Sequence, residues 1–264
     1  MTADDNQSAH PSQGPRVETI HDVTPYLYKT KDWADMTIVC GDNVVIMAHR
    51  AVICPRNRFF NGCCSLGFAE TGTGRINLTE DAETVEGILE HLYDVQVSLI
   101  EARDIYGKLG EVAQDKIQEN LEKLTRLYVA SDKYTVTDLQ DEVAKTFLTR
   151  FQLIDDPNTI LHIAANVYEK TPFFDVKLRA AVVNHVQVHL GTILATEETS
   201  MVLMGNSDLV LDILKRIAPV LRQQTEALIS ESSNGNDQSS PTTPKKRKSP
   251  RIGTSSYALR NRTT

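Results

Sequence analysis

DWADMTIVCGDNVVIMAHRAVICPRNRFF, residues 32–60, and GRINLTEDAETVEGILEHLY, residues 74–93, decide the fold. In the first stretch, residues 36–40 and 44–48 are almost continuously apolar and rich in β-branched side chains. The three residues between them, Gly41, Asp42 and Asn43, tolerate turn conformations. This pattern predicts a β-hairpin that is buried on both faces. A short helix over residues 49–54 that ends at Pro55, and a second helix over 58–64, are predicted to follow.

The second stretch predicts a third strand over residues 75–78 and then an amphipathic helix. Asp81 is placed to cap this helix, and its apolar residues recur at the spacing of one helical face: Val85, Ile88, Leu89, Leu92 and Tyr93. Residues 95–120 are polar and weakly periodic, and we expect a partly helical excursion there. Helical spacing returns from residue 121, and Thr137 with Gln140 predicts a capping box that starts the next helix.

Three further helices are predicted over residues 158–168, 175–190 and 207–229, with a kink or break at Pro219 in the last one. The predicted fold class is therefore α+β, with a small three-stranded sheet flanked by helices and an all-helical extension after it. The predicted boundaries are a disordered N-terminus over 1–22, a first domain over 23–150, the helical extension over 151–229 and a disordered basic tail over 230–264.

Composition and charge narrow the classes of function. No run of 18 apolar residues occurs and the N-terminus is polar, so we expect a soluble intracellular protein with no membrane partner. The four cysteines form no CxxC pair, which favours reduced thiols in the cytosol or nucleus. Residues 231–264 hold seven basic and two acidic side chains, a net charge of +5, whereas residues 1–230 hold 21 basic and 33 acidic ones, a net charge of −12. Weak contact with nucleic acid is therefore expected only through the tail.

Several motifs occur in an order that resembles the BTB/POZ domain. They are ADMTIV at 34–39, AHRAVI at 48–53, FF at 59–60, GFAE at 67–70, the helix end at 88–93 and LYVASDKY at 127–134. The chain looks most like the short BTB proteins of filamentous fungi, and the helices after residue 150 resemble the extension that such proteins carry. The resemblance implies a protein-interaction module that forms homo- or hetero-oligomers and has no active site.

Two pairs of residues are candidates for protein interaction. In similar proteins, the residues that match Asp35 and Arg50 face each other in a charged pocket. The alternative is that these two residues only fix the hairpin against the first helix. Phe68 and Glu70 resemble the hydrophobic-x-Glu element through which some BTB proteins dock on a cullin ubiquitin-ligase scaffold, and an ordinary loop is the alternative.

No catalytic residue, metal site or cofactor is predicted. His49 is expected to make a hydrogen bond in the core, and a thiol-dependent enzyme that pairs His49 with Cys63 or Cys64 is the weakest alternative function. His185 and His189 lie four residues apart, but a solvated helix face is a better explanation than a metal site because no third ligand stands nearby.

The tail contains a dense basic cluster that resembles a nuclear localisation signal read by an importin: Lys245, Lys246, Arg247 and Lys248. Non-specific nucleic-acid contact and a solubilising role are the alternatives. Ser240, Thr243 and Ser249 each precede a proline and are candidate phosphorylation sites. A phosphate at Ser249 adds a charge of about −1.5 to −2 beside Lys248 and is expected to weaken importin binding.

The predicted function is thus a nuclear, non-enzymatic adaptor or scaffold that acts in transcription or chromatin regulation. The main alternative is a substrate adaptor of a cullin-type ubiquitin ligase.

Overall fold

The computed structural model describes residues 19–65, 72–101 and 114–234. Its sheet has three strands, β1 (Met36–Val39), β2 (Val45–Ala48) and β3 (Arg75–Asn77), in the order β2-β1-β3. β1 runs antiparallel to β2, with Met36 opposite Ala48, and parallel to β3, with Thr37 opposite Arg75. The predicted three-stranded sheet is confirmed.

The hairpin buries only one of its faces. Met36, Ile38, Ile46 and Ala48 point into the core, whereas Val45 and Met47 are exposed. The prediction of a hairpin buried on both faces is therefore wrong. β2 is an edge strand of a small sheet, and such a strand can keep apolar side chains on an outer face that no layer covers.

Helices surround the sheet in the first part of the chain. A single 3₁₀ turn (Ile20–Asp22) leads into α1 (Val23–Thr30), and α2 (Arg50–Arg56), α3 (Arg58–Ser65), α4 (Ala82–Leu92) and α5 (Ser98–Glu101) follow. Pro55 lies inside the last turn of α2 rather than ending it. Asp81 caps α4 as predicted, because its carboxylate accepts the main-chain N–H of Thr84 at 2.9 Å.

Two long helices complete the core, α6 (Gln114–Lys133) and α7 (Thr137–Phe151), which pack on each other. The predicted capping box at Thr137 is wrong, because Val136 takes the cap position and the side-chain amide of Gln140 donates to Asp132 instead. At the end of α6, Glu80 accepts hydrogen bonds from Lys133, at 2.7 Å, and from the hydroxyl of Tyr134.

The extension consists of α8 (Pro157–Lys170), α9 (Lys177–Val188), α10 (Leu190–Ile193), α11 (Glu197–Met204) and α12 (Ser207–Asn234). α8 packs against α6, and α9 packs against α7. The residues up to Arg216 fall into one compact unit and those from Ile217 into a second. α12 continues through Pro219, so the helix is not broken there. Within the described residues, no helix combines the length and the apolar character needed to cross a bilayer.

Candidate protein-interaction site

Asp35 and Arg50 meet at the N-terminus of α2. A carboxylate oxygen of Asp35 accepts the main-chain N–H of Arg50 at 2.8 Å, and the main-chain N–H of Asp35 donates to Ala48 at 3.1 Å. The first N–H groups of a helix have no partner within the helix, and a carboxylate there also complements the helix dipole. Asp35 therefore serves as the cap of α2, a position where the side chain of His49 makes no such bond.

The side chain of Arg50 does not pair with that carboxylate. Both residues are described, and no ion pair joins their side chains. The Arg50 guanidinium packs on Gly74, where a Cβ would lie 3.0 Å from one of its terminal nitrogens. Gly74 also has a φ of 66°, which other residues rarely adopt. The Nε atom of Arg50 is buried and finds no acceptor in the described part of the chain.

Both ring nitrogens and the main-chain N–H of His49 make hydrogen bonds within the fold. Its main-chain N–H donates to the hydroxyl oxygen of Tyr93 at 2.8 Å, its Nδ1 lies 2.7 Å from the same oxygen, and its Nε2 lies 2.7 Å from the Asp32 carbonyl. A carbonyl can only accept, so in the neutral ring Nε2–H donates to Asp32 and Nδ1 accepts from Tyr93. Burial raises the pKa of Tyr93 to about 12, so its hydroxyl keeps its proton near neutral pH. His49 makes core hydrogen bonds, as expected, and has no ring nitrogen left to activate a thiol.

A family model of the BTB/POZ domain matches residues 26–150. This match covers the sheet, the capped α2 and the long helices through α7. The chain contains a BTB/POZ domain. No curated protein matches the chain. BTB/POZ domains are protein-interaction modules, which gives the chain a general role in binding other proteins.

Two thiols of the BTB/POZ domain, those of Cys40 and Cys54, lie in surroundings that suppress their reactivity. Burial raises the pKa of Cys40 to about 11, and burial together with a hydrogen bond to Cys64 raises that of Cys54 to about 12. Both thiols therefore stay protonated near neutral pH, where a protonated thiol is a poor nucleophile. No disulfide joins the four cysteines, all of which lie in the described residues.

His185 and His189 of the extension do not form a solvated face as predicted. His185 is buried, because α9 packs into the interior, and its Nε2–H donates to the carbonyl of Ile154 at 2.8 Å. Burial lowers the pKa of His185. Nε2 of His189 lies 4.0 Å from the carboxylate of Asp155. Among the described residues, no group of three or more potential ligands could hold a metal ion.

The remaining predicted site residues lie outside the described residues. This applies to Phe68 and Glu70, to the basic cluster over 245–248, and to the serines and threonine before prolines, Ser240, Thr243 and Ser249. Their roles stay predictions.

The structure also reveals exposed apolar surface that the sequence reasoning missed. None of the eight residues of α1 is buried, although most are apolar or aromatic. Ile20 before this helix and Trp33 after it are 79% and 80% exposed. We call Ile20, α1 and Trp33 the N-terminal edge of the BTB/POZ domain. The many apolar residues over 20–28 could have indicated this surface. Apolar spacing alone, however, does not show whether a helix buries its apolar side chains against the core of its own domain.

Proposed function

We propose that the protein is a non-enzymatic adaptor that self-associates through the N-terminal edge of its BTB/POZ domain and acts in the nucleus. The observation that supports self-association is the unburied α1 with Ile20 and Trp33 on either side. Ile20 and Trp33 are exposed and the apolar residues of α1 are half-buried. Exposed apolar side chains grouped in this way mark interaction sites in soluble proteins. α1 also lies against the core of its own domain, since the rings of Tyr28 and Tyr93 are 5.4 Å apart, so the surface is held in place before a partner arrives.

Self-association is tested by the mass of the full chain, measured by light scattering over a range of concentrations. The test variant is Ile20→Asp with Trp33→Asn, because asparagine tolerates the positive φ of 59° at position 33. The control is Val188→Asp, which places the same charge at an equally exposed apolar position on α9. We expect an oligomer for the wild type and the control, and a monomer for the test variant. A wild type that stays monomeric, or a test variant that stays oligomeric, would end this part of the proposal.

The basic cluster over 245–248 supports nuclear localisation through an importin, because an extended segment with several positive charges suits an acidic groove. A fluorescent fusion of the full chain should move from nucleus to cytoplasm when Lys246 and Arg247 are both replaced by alanine. Ser249→Glu should also reduce nuclear import and Ser249→Ala should not. Identical distributions of the two Ser249 variants would exclude control by phosphorylation at that site.

Transcription or chromatin regulation is the process that we propose for the nuclear protein, and adaptation to a ubiquitin ligase is the second candidate. Phe68 and Glu70 favour the second candidate, because an apolar anchor beside a charged rim residue suits an interface. Co-purification from the native host separates the two. A cullin that is present with the wild type and absent with Phe68→Ala plus Glu70→Lys supports the ligase, whereas chromatin proteins without a cullin support the first proposal.

A further inference from the structure

The loop between α8 and α9 holds three large apolar side chains in solvent. Phe173 is 83% exposed, Phe174 is 67% exposed and Val176 is 77% exposed. The two phenylalanine rings contact each other edge to face, with centroids 5.3 Å apart. We call these three residues the apolar knuckle. All three belong to the first compact unit, in the helical extension that follows the BTB/POZ domain.

Asp175 fixes the backbone of the knuckle, through hydrogen bonds, on the side that leads into α9. One carboxylate oxygen of Asp175 accepts the main-chain N–H groups of Leu178 and Arg179, at 3.0 and 3.2 Å. The other oxygen accepts the hydroxyl of Tyr128 at 2.6 Å, which ties the loop to α6 of the BTB/POZ domain. The main-chain N–H of Asp175 donates to Pro172 at 2.9 Å, which closes the loop on itself.

Arg179 fastens the same backbone on its α8 side. This buried side chain donates to the carbonyls of Tyr168 and Thr171, at 3.1 and 2.7 Å, and to the Thr171 hydroxyl at 3.1 Å. The loop therefore uses its polar groups to fix the backbone while its apolar groups face water. Surface that is rigid before binding loses little conformational entropy on association, and buried aromatic side chains are common anchors of interfaces.

A groove of about 450 Å³ runs beside the knuckle, along α9 and the start of α12. Some charged side chains of this groove have partners within the protein, and one has no carboxylate partner in the described part of the chain. Asp212 accepts the hydroxyl of Tyr168 at 2.9 Å and pairs with Lys215 at 3.0 Å. Arg216 has no carboxylate partner among the described residues. The guanidinium of Arg216 is therefore the charged group that remains available to a ligand. Its N–H donors lie in one plane and suit the two oxygens of a carboxylate.

The two terminal segments of the chain that lie outside the described residues do not match this surface. Residues 1–18 contain no aromatic residue and few large apolar ones. Residues 235–264 hold seven basic side chains and one acidic one, and Arg216 would repel them. We propose that the knuckle and its groove bind a segment of another protein that carries apolar anchors and an aspartate or glutamate. The apolar anchors pack on Phe173 and Phe174, and the carboxylate pairs with Arg216. This inference rests on the proposed adaptor function and specifies the chemistry of the partner.

The test selects random displayed peptides of about 15 residues on the immobilised full chain, a length that spans one recognition segment. We expect the enriched peptides to combine two or more apolar residues with at least one acidic residue. The tightest one is then synthesised and titrated against variants. Phe173→Ser with Phe174→Ser, and separately Arg216→Glu, should each weaken it at least about tenfold, as expected for anchor residues. The matched controls Val188→Ser and Lys145→Glu change exposed residues on other surfaces and should bind it as the wild type does.

Several results would overturn this inference. They are enrichment of basic peptides, enrichment that is equal on the wild type and on the double serine variant, or no enrichment at all. Self-association that the double serine variant abolishes would identify a second copy as the occupant. Binding to phosphatidylcholine and phosphatidylserine vesicles that the same variant abolishes would identify a lipid surface.

The substituted positions are exposed, and thermal unfolding monitored by circular dichroism verifies the fold of each variant. Phe173→Ser alone serves if the double variant unfolds. An oligomer that forms through the N-terminal edge without any peptide binding at the knuckle would leave the proposed function intact and end this inference alone.

Discussion

Replacing Tyr93 by phenylalanine tests whether the hydrogen bonds around His49 stabilise the BTB/POZ domain. The ring of Tyr93 is fully buried, and its hydroxyl accepts the main-chain N–H of His49 at 2.8 Å and donates to His49 Nδ1 at 2.7 Å. Phenylalanine keeps the ring and removes only the oxygen atom. The substitution therefore creates no large cavity, and its effect measures the two hydrogen bonds.

Two buried polar groups of His49 lose their partner in Tyr93→Phe. Each buried donor or acceptor without a partner costs about 1–3 kcal/mol, so the free energy of unfolding should fall by about 2–6 kcal/mol. Tyr26→Phe is the matched control, because it removes a hydroxyl that donates to Asp32 at 2.8 Å on the exposed surface. Water replaces that hydrogen bond, and we expect a loss below about 1 kcal/mol.

Urea unfolding in the presence of a reductant, followed by far-ultraviolet circular dichroism, measures the difference. With a dependence of about 2 kcal/mol per molar urea, a loss of 3 kcal/mol moves the midpoint down by about 1.5 M. The midpoint of Tyr26→Phe should stay within about 0.5 M of the wild type. Equal midpoints for the two variants would refute the role assigned to Tyr93, since both lose the same atom.

Three other changes follow from the same structure. Gly41→Ala should lower the free energy of unfolding by more than about 2 kcal/mol in urea titrations, because a Cβ at position 41 would lie 2.2 Å from a main-chain oxygen. In the control Gly72→Ala, the new Cβ meets nothing within 4 Å, so the free energy of unfolding should hardly change. Burial alone would raise the pKa of Glu80, but the two hydrogen bonds that Glu80 accepts outweigh burial and lower this pKa. The stabilisation by Glu80 is therefore complete above the ordinary pKa of 4.5 and is lost as the pH falls below that value. Thermal unfolding of Glu80→Gln should therefore depend less on pH in that acidic range than that of the wild type or of the exposed control Glu119→Gln. The Cys54 thiol, with its pKa raised to about 12, should react with iodoacetamide near neutral pH at least about 100-fold more slowly in the native chain than after unfolding. Fast labelling of Cys54 in the native chain would contradict the burial assigned to this thiol.

The parts of the fold that the sequence predicted correctly depend on local signals. The strands follow from short β-branched runs, and the start of α4 follows from Asp81, whose cap needs only the N–H of Thr84 three residues later. Such features involve neighbours in the chain, so they can be recognised without knowing the tertiary structure. The predicted capping box failed because Thr135, with a φ of 60°, turns the chain directly from α6 into α7 and places Val136 at the cap.

The candidate site was predicted less completely because its contacts join distant parts of the chain. His49 and Tyr93 are 44 residues apart, and nothing in their local patterns shows that they form a hydrogen bond. The pairing of Asp35 with Arg50 was anticipated, but as a meeting of two side chains. The apolar knuckle was overlooked because Phe173 and Phe174 form a short apolar pair in a loop, and only the folded chain shows that they remain in solvent.

The geometry around Asp35 also determines how variants at this position should be interpreted. Its carboxylate is occupied by the N–H of Arg50, so removing it weakens the start of α2 and the junction with β1. Arg50, in contrast, packs its guanidinium on Gly74 and has a buried Nε without an acceptor in the described residues. A loss of binding caused by a change at Asp35 therefore reflects stability first. Partner contacts at this end of the domain are better sought at Ile20 and Trp33, where the side chains are exposed and make little contribution to the fold.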